Sequence, residues 1–257
     1  MSQIHIVRRP YLLAHRGASG YAPENTFTAF DRAVAQRADG IETDVRATRD
    51  GVLVLMHDER VDRTTQGEGR VADLEYSAIQ RLDAAYGHPG RVEAEAVPTL
   101  EEFLARFGGR VGICLEIKQS GIESAVVEMV RSRGLLAPRP WQSAAPRGKA
   151  VLPPVSFTSF DLQSAAAVAR LAPGSLVGHL TPEFDDAAIG RAIAQGLNQI
   201  CPPANLCTPA RVQGARERDL SIRAWQVRNR EALRTAVLAL VDGVTCDWPD
   251  WTLDANK

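Results

Sequence analysis

The chain has 257 residues, 45% of them hydrophobic, a formal net charge of −1 and a sequence pI near 6.5. That size suits one barrel or one large α/β domain better than two small ones, and the balanced charge excludes bulk binding of nucleic acid or anionic lipid. No run reaches the ~18 apolar residues of a membrane-spanning helix. The opening MSQIHIVRRP lacks the apolar stretch and cleavage site of a signal peptide. Cys114, Cys201, Cys207 and Cys246 form no CxxC pair, so a cytoplasmic protein with reduced, mostly buried thiols is expected.

Short apolar runs alternate with longer runs at helical spacing. The candidate strands are YLLAHR (11–16), DGIETD (39–44), VGICLEIK (111–118), PVSFTS (154–159), SLVGHL (175–180), LNQICP (197–202), IRAWQV (222–227) and DGVTCD (242–247). Candidate helices lie at 25–36, 99–107, 123–134, 161–171, 186–196, 208–218 and 229–240. Thr99, Asp161, Thr208 and Asn229 are placed to cap their N-termini, and Gly134 and Gly196 to end two of them. This alternation argues for parallel strands in βα units.

VLVLMH (52–57) is a further strand, separated from 39–44 only by a turn around Thr48–Gly51. A parallel crossover needs about a dozen residues, so this segment must return as an antiparallel hairpin. Eight parallel strands remain, the number that closes a (β/α)8 barrel as an α/β fold. Residues 59–98 then form a long excursion, expected as a small subdomain inserted after the second strand and capping the barrel mouth. The Pro-rich 138–154 reads as a surface loop.

Sites in such barrels lie at the C-terminal strand ends. His15 and Arg16 end the first strand, Glu42 and Asp44 the second, and Glu116 and Lys118 the third; the hairpin brings back His57. The alternation Glu42–Thr43–Asp44 puts both carboxylates on one side of the chain. Taken singly, each has a structural reading: a satisfied core histidine, surface carboxylates, a Glu–Lys pair on one strand. On neighbouring strand ends they argue for one site. Three carboxylates in one pocket repel unless a cation neutralises them, and an all-oxygen set suits Mg²⁺ or Ca²⁺. Two histidines beside such an ion are suited to acid–base work, and Arg16 and Lys118 to holding an anion. The chemistry suggested is metal-assisted cleavage of a phosphate ester.

The motifs AHRGASGYAPENT (14–26), DGIETDVRATRDGVLVLMHDERVDRTTQGEGRV (39–71), VPTLEEFL (97–104), LEIK (115–118), VSFTSFDL (155–162), AWQV (224–227) and TCDWP (245–249) resemble the glycerophosphodiester phosphodiesterase family, in order and over nearly the whole chain. The resemblance implies a single TIM-barrel domain with a small insert. It implies hydrolysis of glycerophosphodiesters such as glycerophosphocholine to glycerol 3-phosphate and an alcohol, in lipid and glycerol metabolism. By position, His15 and His57 match the family's acid–base pair, and Glu42, Asp44 and Glu116 its metal carboxylates. Arg16 and Lys118 match its phosphate contacts, and Trp225 an aromatic lining the pocket; Glu24 and Asn25 are placed to support the site. Two positions depart from the usual pattern, Gln226 for a threonine and Cys246 in the closing motif, and neither is expected to touch the chemistry. The small, polar insert is expected to shape the alcohol side of the pocket. A lysophospholipase D-type activity, a non-catalytic phosphate-binding barrel and a sugar-phosphate isomerase are the alternatives. Order of the two histidines, the attacking oxygen, the metal and the oligomeric state stay open.

Overall fold

The computed structural model describes residues 9–136, apart from 90 and 92, and residues 152–253. The strands are β1 (Tyr11–His15), β2 (Gly40–Ala47), β3 (Leu53–Leu55), β4 (Gly112–Ile117), β5 (Val155–Ser159), β6 (Val177–Leu180), β7 (Gln199–Cys201), β8 (Ser221–Val227) and β9 (Gly243–Cys246). The helices are α1 (Phe27–Ala35), α2 (Tyr76–Ile79), α3 (Leu100–Phe107), α4 (Glu123–Ser132), α5 (Leu162–Leu171), α6 (Asp186–Ala194), α7 (Pro209–Arg216) and α8 (Arg230–Leu238). Apart from β3, each strand runs parallel to its neighbours, and β1 pairs with both β2 and β9, which closes a barrel of eight. The fold is a (β/α)8 TIM barrel.

β3 pairs antiparallel with the end of β2, Val45 opposite Leu55 and Ala47 opposite Leu53. The second strand therefore runs three residues past Asp44, because the returning ribbon supplies backbone partners above the barrel rim. Thr99, Asp161, Thr208 and Asn229 each accept a backbone N–H at their helix N-termini, and Thr99 with Glu102 forms a capping box. Gly134 and Gly196 lie one residue beyond the cap residues Arg133 and Gln195, at φ +67° and +72°. Left-handed backbone just past a helix end is where glycine costs least.

The main core fills the space between strands and helices, with Ile41, Ile113, Phe157, Ile200 and Val244 facing Phe30, Phe103, Val126 and Leu233. Inside the barrel, Tyr11, Leu13 and Cys114 pack together. Gly243 is required here: a Cβ would stand 2.1 Å from the Tyr11 ring. The interior also carries polar groups around this layer. The Gln199 amide donates to Tyr11 Oη at 2.9 Å and to Ser221 Oγ at 3.2 Å, and Arg223 donates to Thr245. All four cysteines are buried and free.

The excursion after β3 holds α2, and its Val61, Val71, Ile79, Ala84 and Val97 form a separate small cluster with Val54 of β3 and with Met56. Of the expected surface loop 138–154, residues 138–151 lie outside the described residues. No described helix is long and apolar enough to cross a membrane.

Candidate active site

Barrel register places the acidic groups in two levels. His15 of β1 is level with Glu42 of β2, and Asp44 is level with Glu116 of β4. Side chains two residues apart on a strand share a face, so Glu42 and Asp44 both project inward. Carboxylate oxygens of Glu42, Asp44 and Glu116 lie within 4.8 Å of one another, all three residues buried. The hairpin is tied to this level: Met56 N donates to the Asp44 carbonyl at 3.0 Å, and Arg46 donates to the His57 carbonyl at 3.0 and 3.1 Å. These bonds hold His57 beside the rim.

Such a cluster cannot carry three full charges unaided. Burial pushes Glu116 above the ordinary carboxylate range, with the Asp44 charge adding to it and Lys118 opposing it. Burial and the Asp44 charge raise Glu42 likewise. Asp44 goes the other way: its burial is outweighed by Lys118 and Arg16, and its carboxyl is held well below the usual range. Lys118 Nζ is 2.5 Å from Glu116 Oε1 and 3.4 Å from Asp44 Oδ1, yet neither oxygen accepts a well-formed hydrogen bond. Two buried carboxylate oxygens without such a bond, facing each other and a third carboxylate, fit a hard divalent ion.

Each histidine rests on a carboxylate. His15 donates from Nδ1 to Asp247 Oδ1 at 2.6 Å, and His57 from Nδ1 to Asp58 Oδ1 at 2.6 Å. That fixes the tautomer and leaves Nε2 for proton transfer. The two rings are tuned apart. Burial lowers the His15 pKa, but the Asp247 hydrogen bond and the Glu42 charge more than offset it, and the value ends above 6.5. For His57 burial prevails, helped by the Arg16 and Lys118 charges, and the value ends below 6.5.

Arg16, at φ +53° just past β1, donates its backbone N–H to Glu42 Oε2 at 3.0 Å and its side chain to Glu24 Oε1 at 3.0 Å. Its Nε is 3.3 Å from Asp44 Oδ2. Asn25 donates to Asp44 Oδ2 at 3.0 Å while accepting from Thr43. Arg63 donates to both Glu24 oxygens and to Asp58 Oδ2. A continuous chain of ion pairs thus runs from His57 through Asp58, Arg63 and Glu24 to Arg16 and Asp44.

His15, Arg16, Glu42, His57, Glu116, Lys118 and Trp225 all line one cavity of about 310 Å³; Asp44 sits directly behind it. All eight residues singled out from the sequence therefore meet at one place. Others were missed, Arg228 at the cavity rim among them. Asp58 and Asp247 stand in the quoted motifs, next to His57 and at the end of the last strand, where a partner for a histidine could have been sought. Phe160 and Arg223 also line the cavity, and nothing in an apolar run such as IRAWQV marks Arg223. Two expectations need correction. No described residue of 59–98 lines this cavity, because the insert packs beside the hairpin around an apolar cluster; the wall comes from β6, β8, β9 and the residue after β5. Gln226, expected to lie away from the chemistry, does line it.

A model of the glycerophosphoryl diester phosphodiesterase family matches residues 15–251. The chain belongs to that family, one of phosphoric diester hydrolases. It is 31% identical over 245 residues to the glycerophosphodiester phosphodiesterase of Caldanaerobacter subterraneus subsp. tengcongensis, covering 93% of this chain and 94% of that one. It is 31% identical over 255 residues to a Bacillus subtilis enzyme of the same name, covering 93% and 83%. The crystal structure of a glycerophosphodiester phosphodiesterase from Agrobacterium tumefaciens superposes with a TM-score of 0.80 at 27% identity, covering 95% of this chain and 99% of that one. A phosphodiesterase of Oleispira antarctica, solved with the product sn-glycerol-3-phosphate, superposes with a TM-score of 0.78 at 24% identity over 96% of each chain.

Proposed function

We propose that this hydrolase cleaves glycerophosphodiesters to glycerol 3-phosphate and an alcohol, with Glu42, Asp44 and Glu116 holding one Mg²⁺ or Ca²⁺ ion and with His15 and His57 as the acid–base pair. The observation that carries this is the pair of carboxylate-backed histidines facing one cavity with a buried cluster of three carboxylates. Bound there, the ion neutralises the cluster and supplies positive charge to a phosphoryl oxygen.

The remaining work falls to the chain's own groups. Arg16 and Lys118 share the phosphate charge. His57, with its lowered pKa, is neutral near pH 7 and accepts a proton from the attacking oxygen as it bonds to phosphorus; that oxygen is water's, or the neighbouring glycerol hydroxyl's with water then opening the cyclic ester to glycerol 3-phosphate. His15, with its raised pKa, keeps a proton to give to the alcohol oxygen as that P–O bond breaks. The Asp58 and Asp247 carboxylates orient the two rings. A non-catalytic phosphate binder has no use for two imidazoles tuned to opposite sides of 6.5.

The test is release of glycerol 3-phosphate, abolished by EDTA and restored by Mg²⁺ or Ca²⁺. His15→Ala and His57→Ala should each lower turnover by roughly 10²–10⁴-fold. Wild-type rates in both variants would refute the assignment.

A further inference from the structure

The cavity extends beyond the groups that the proposed reaction uses. Away from the carboxylates it is lined by Phe160, Leu180, Trp225, Gln226 and Arg228. With the phosphate held by Arg16, Lys118 and the two histidines, and the glycerol hydroxyls turned to the carboxylates, this wall faces the alcohol that leaves.

The aromatic part of the wall is unsuited to a cationic alcohol. Phe160 meets Trp225 edge to face, centroids 5.0 Å apart at 85°. The Lys118 ammonium already lies over the Phe160 ring, 5.6 Å from its centroid. A quaternary ammonium binds to open aromatic faces, and here a fixed cation of the protein stands over one of them. Asp247 is the carboxylate lining the cavity besides the acidic cluster, and it is engaged by His15.

Besides Leu180 and Gln226, the rest of the wall carries two arginines, Arg223 and Arg228, and a backbone kink places the second. β8 breaks register against β9 between Ala224 and Val227, and Gln226 stands at φ +57°, left-handed without being glycine. Arg228 N closes the kink by donating to the Gln226 carbonyl at 3.0 Å. Strained backbone of this kind persists where the surroundings enforce it, and it clusters at ligand sites. The kink brings Arg228 to the cavity rim, where it makes no ion pair among the described residues. Deeper on the same strand, Arg223 is 1% exposed, and its Nε and Nη2 have no hydrogen-bond partner. Arg16 and Lys118 are paired with carboxylates of the site, whereas Arg223 and Arg228 make no ion pair among the described residues.

Resting on the activity proposed above, we propose that this wall selects a leaving alcohol bearing an anionic group of its own, a carboxylate or second phosphate, over choline-like cationic alcohols, with Arg228 setting the preference. An anion at the rim meets Arg228 directly; Arg228 is exposed, so the solvent-screened pair is worth roughly two- to fivefold in affinity.

The experiment compares kcat/KM for glycerophosphoinositol 4-phosphate, glycerophosphoglycerol and glycerophosphocholine in the full chain. The expected order is anionic, neutral, cationic, with at least about tenfold between the extremes, carried mainly by KM and shrinking at high salt. Arg228→Glu should narrow that ratio about fivefold or more. Calorimetric titration gives a readout free of turnover: phosphoglycolate should bind more tightly than phosphocholine. Choline cleaved as well as or better than the anionic alcohol overturns the inference and leaves the activity standing. An unchanged ratio in Arg228→Glu removes Arg228 from it. Glycerol 3-phosphate released from none of the three refutes the activity, and this inference with it.

Discussion

His15 and His57 are the same side chain in the same cavity, and their neighbours separate them. Burial lowers both. Asp247 and Glu42 outweigh burial at His15, whereas Arg16 and Lys118 reinforce it at His57. The signs fix the pH profile. The base must be neutral, so the acid limb of kcat/KM follows His57 and falls below 6.5. The acid must be protonated, so the alkaline limb follows His15 and falls above 6.5. Asp247→Asn removes the hydrogen bond to a carboxylate that keeps His15 high. The alkaline limb should then move to lower pH, with kcat/KM down by about 10–100-fold and KM little changed. An alkaline limb that stays in place would show that His15 is not the acid. From the sequence, the histidines were legible because each follows an apolar strand run; their opposite tuning was not, because Asp247 lies 232 residues from His15.

At the level of elements, the β2–β3 hairpin decides where His57 goes. Its antiparallel sense followed from the short turn at 48–51, since four residues cannot make a crossover. What the turn length could not show was how the ribbon is held. Arg63, in the segment after the hairpin, donates to Asp58 behind His57 and to Glu24 in the β1–α1 loop. Its side chain is 49% exposed, so its worth to stability is small. Its worth to the site is positional. Arg63→Ala should lower kcat about tenfold while the thermal midpoint, read by calorimetry, stays nearly unchanged. A large fall in midpoint with kcat intact would make Arg63 a purely structural tie. The length of the excursion read as a cap over the mouth, yet Val61, Val71, Ile79, Ala84 and Val97 gather against Val54 and Met56 of the hairpin instead. A sparse apolar pattern says that a cluster forms, not which neighbour it leans on.

Across the whole molecule, barrel closure brings β1 against β2 and β2 against β4, and so concentrates acidic charge at one rim. Without an ion this costs stability, in a pH window that can be named. Glu42 and Glu116 titrate above their ordinary 4.5 in the folded state. A carboxyl raised in this way contributes stability below 4.5 and loses it as pH rises through the raised value. Asp44, lowered, acts in the opposite sense below 3.8, outside that window, whereas the lowered His57 and His179 oppose it between their lowered values and 6.5. The carboxyl contribution, read as the difference in thermal midpoint between the metal-free protein and its Glu116→Gln variant, should therefore fall as pH rises from 4.5 toward neutrality, and Mg²⁺ or Ca²⁺ should restore it. A difference in EDTA that does not change with pH over this range, or a midpoint indifferent to added ion, would argue against a metal site.

By itself the sequence marked the strand count, the hairpin and seven of the eight side chains that meet at the cavity, Trp225 entering only through the family resemblance. Apolar periodicity, turn length and strand-end position are local properties, and a run such as GIETD carries them within five residues. Only the tertiary structure decided which carboxylate backs which histidine, that Arg223 lies buried at the cavity with two of its nitrogens unbonded, and that the described part of the cavity wall comes from β8 and Phe160. Those facts depend on contacts between strands far apart in the chain, and on a kink at Gln226 that no composition rule marks. Charge and burial at the site are sums over neighbours, and the neighbours exist only once the barrel has closed.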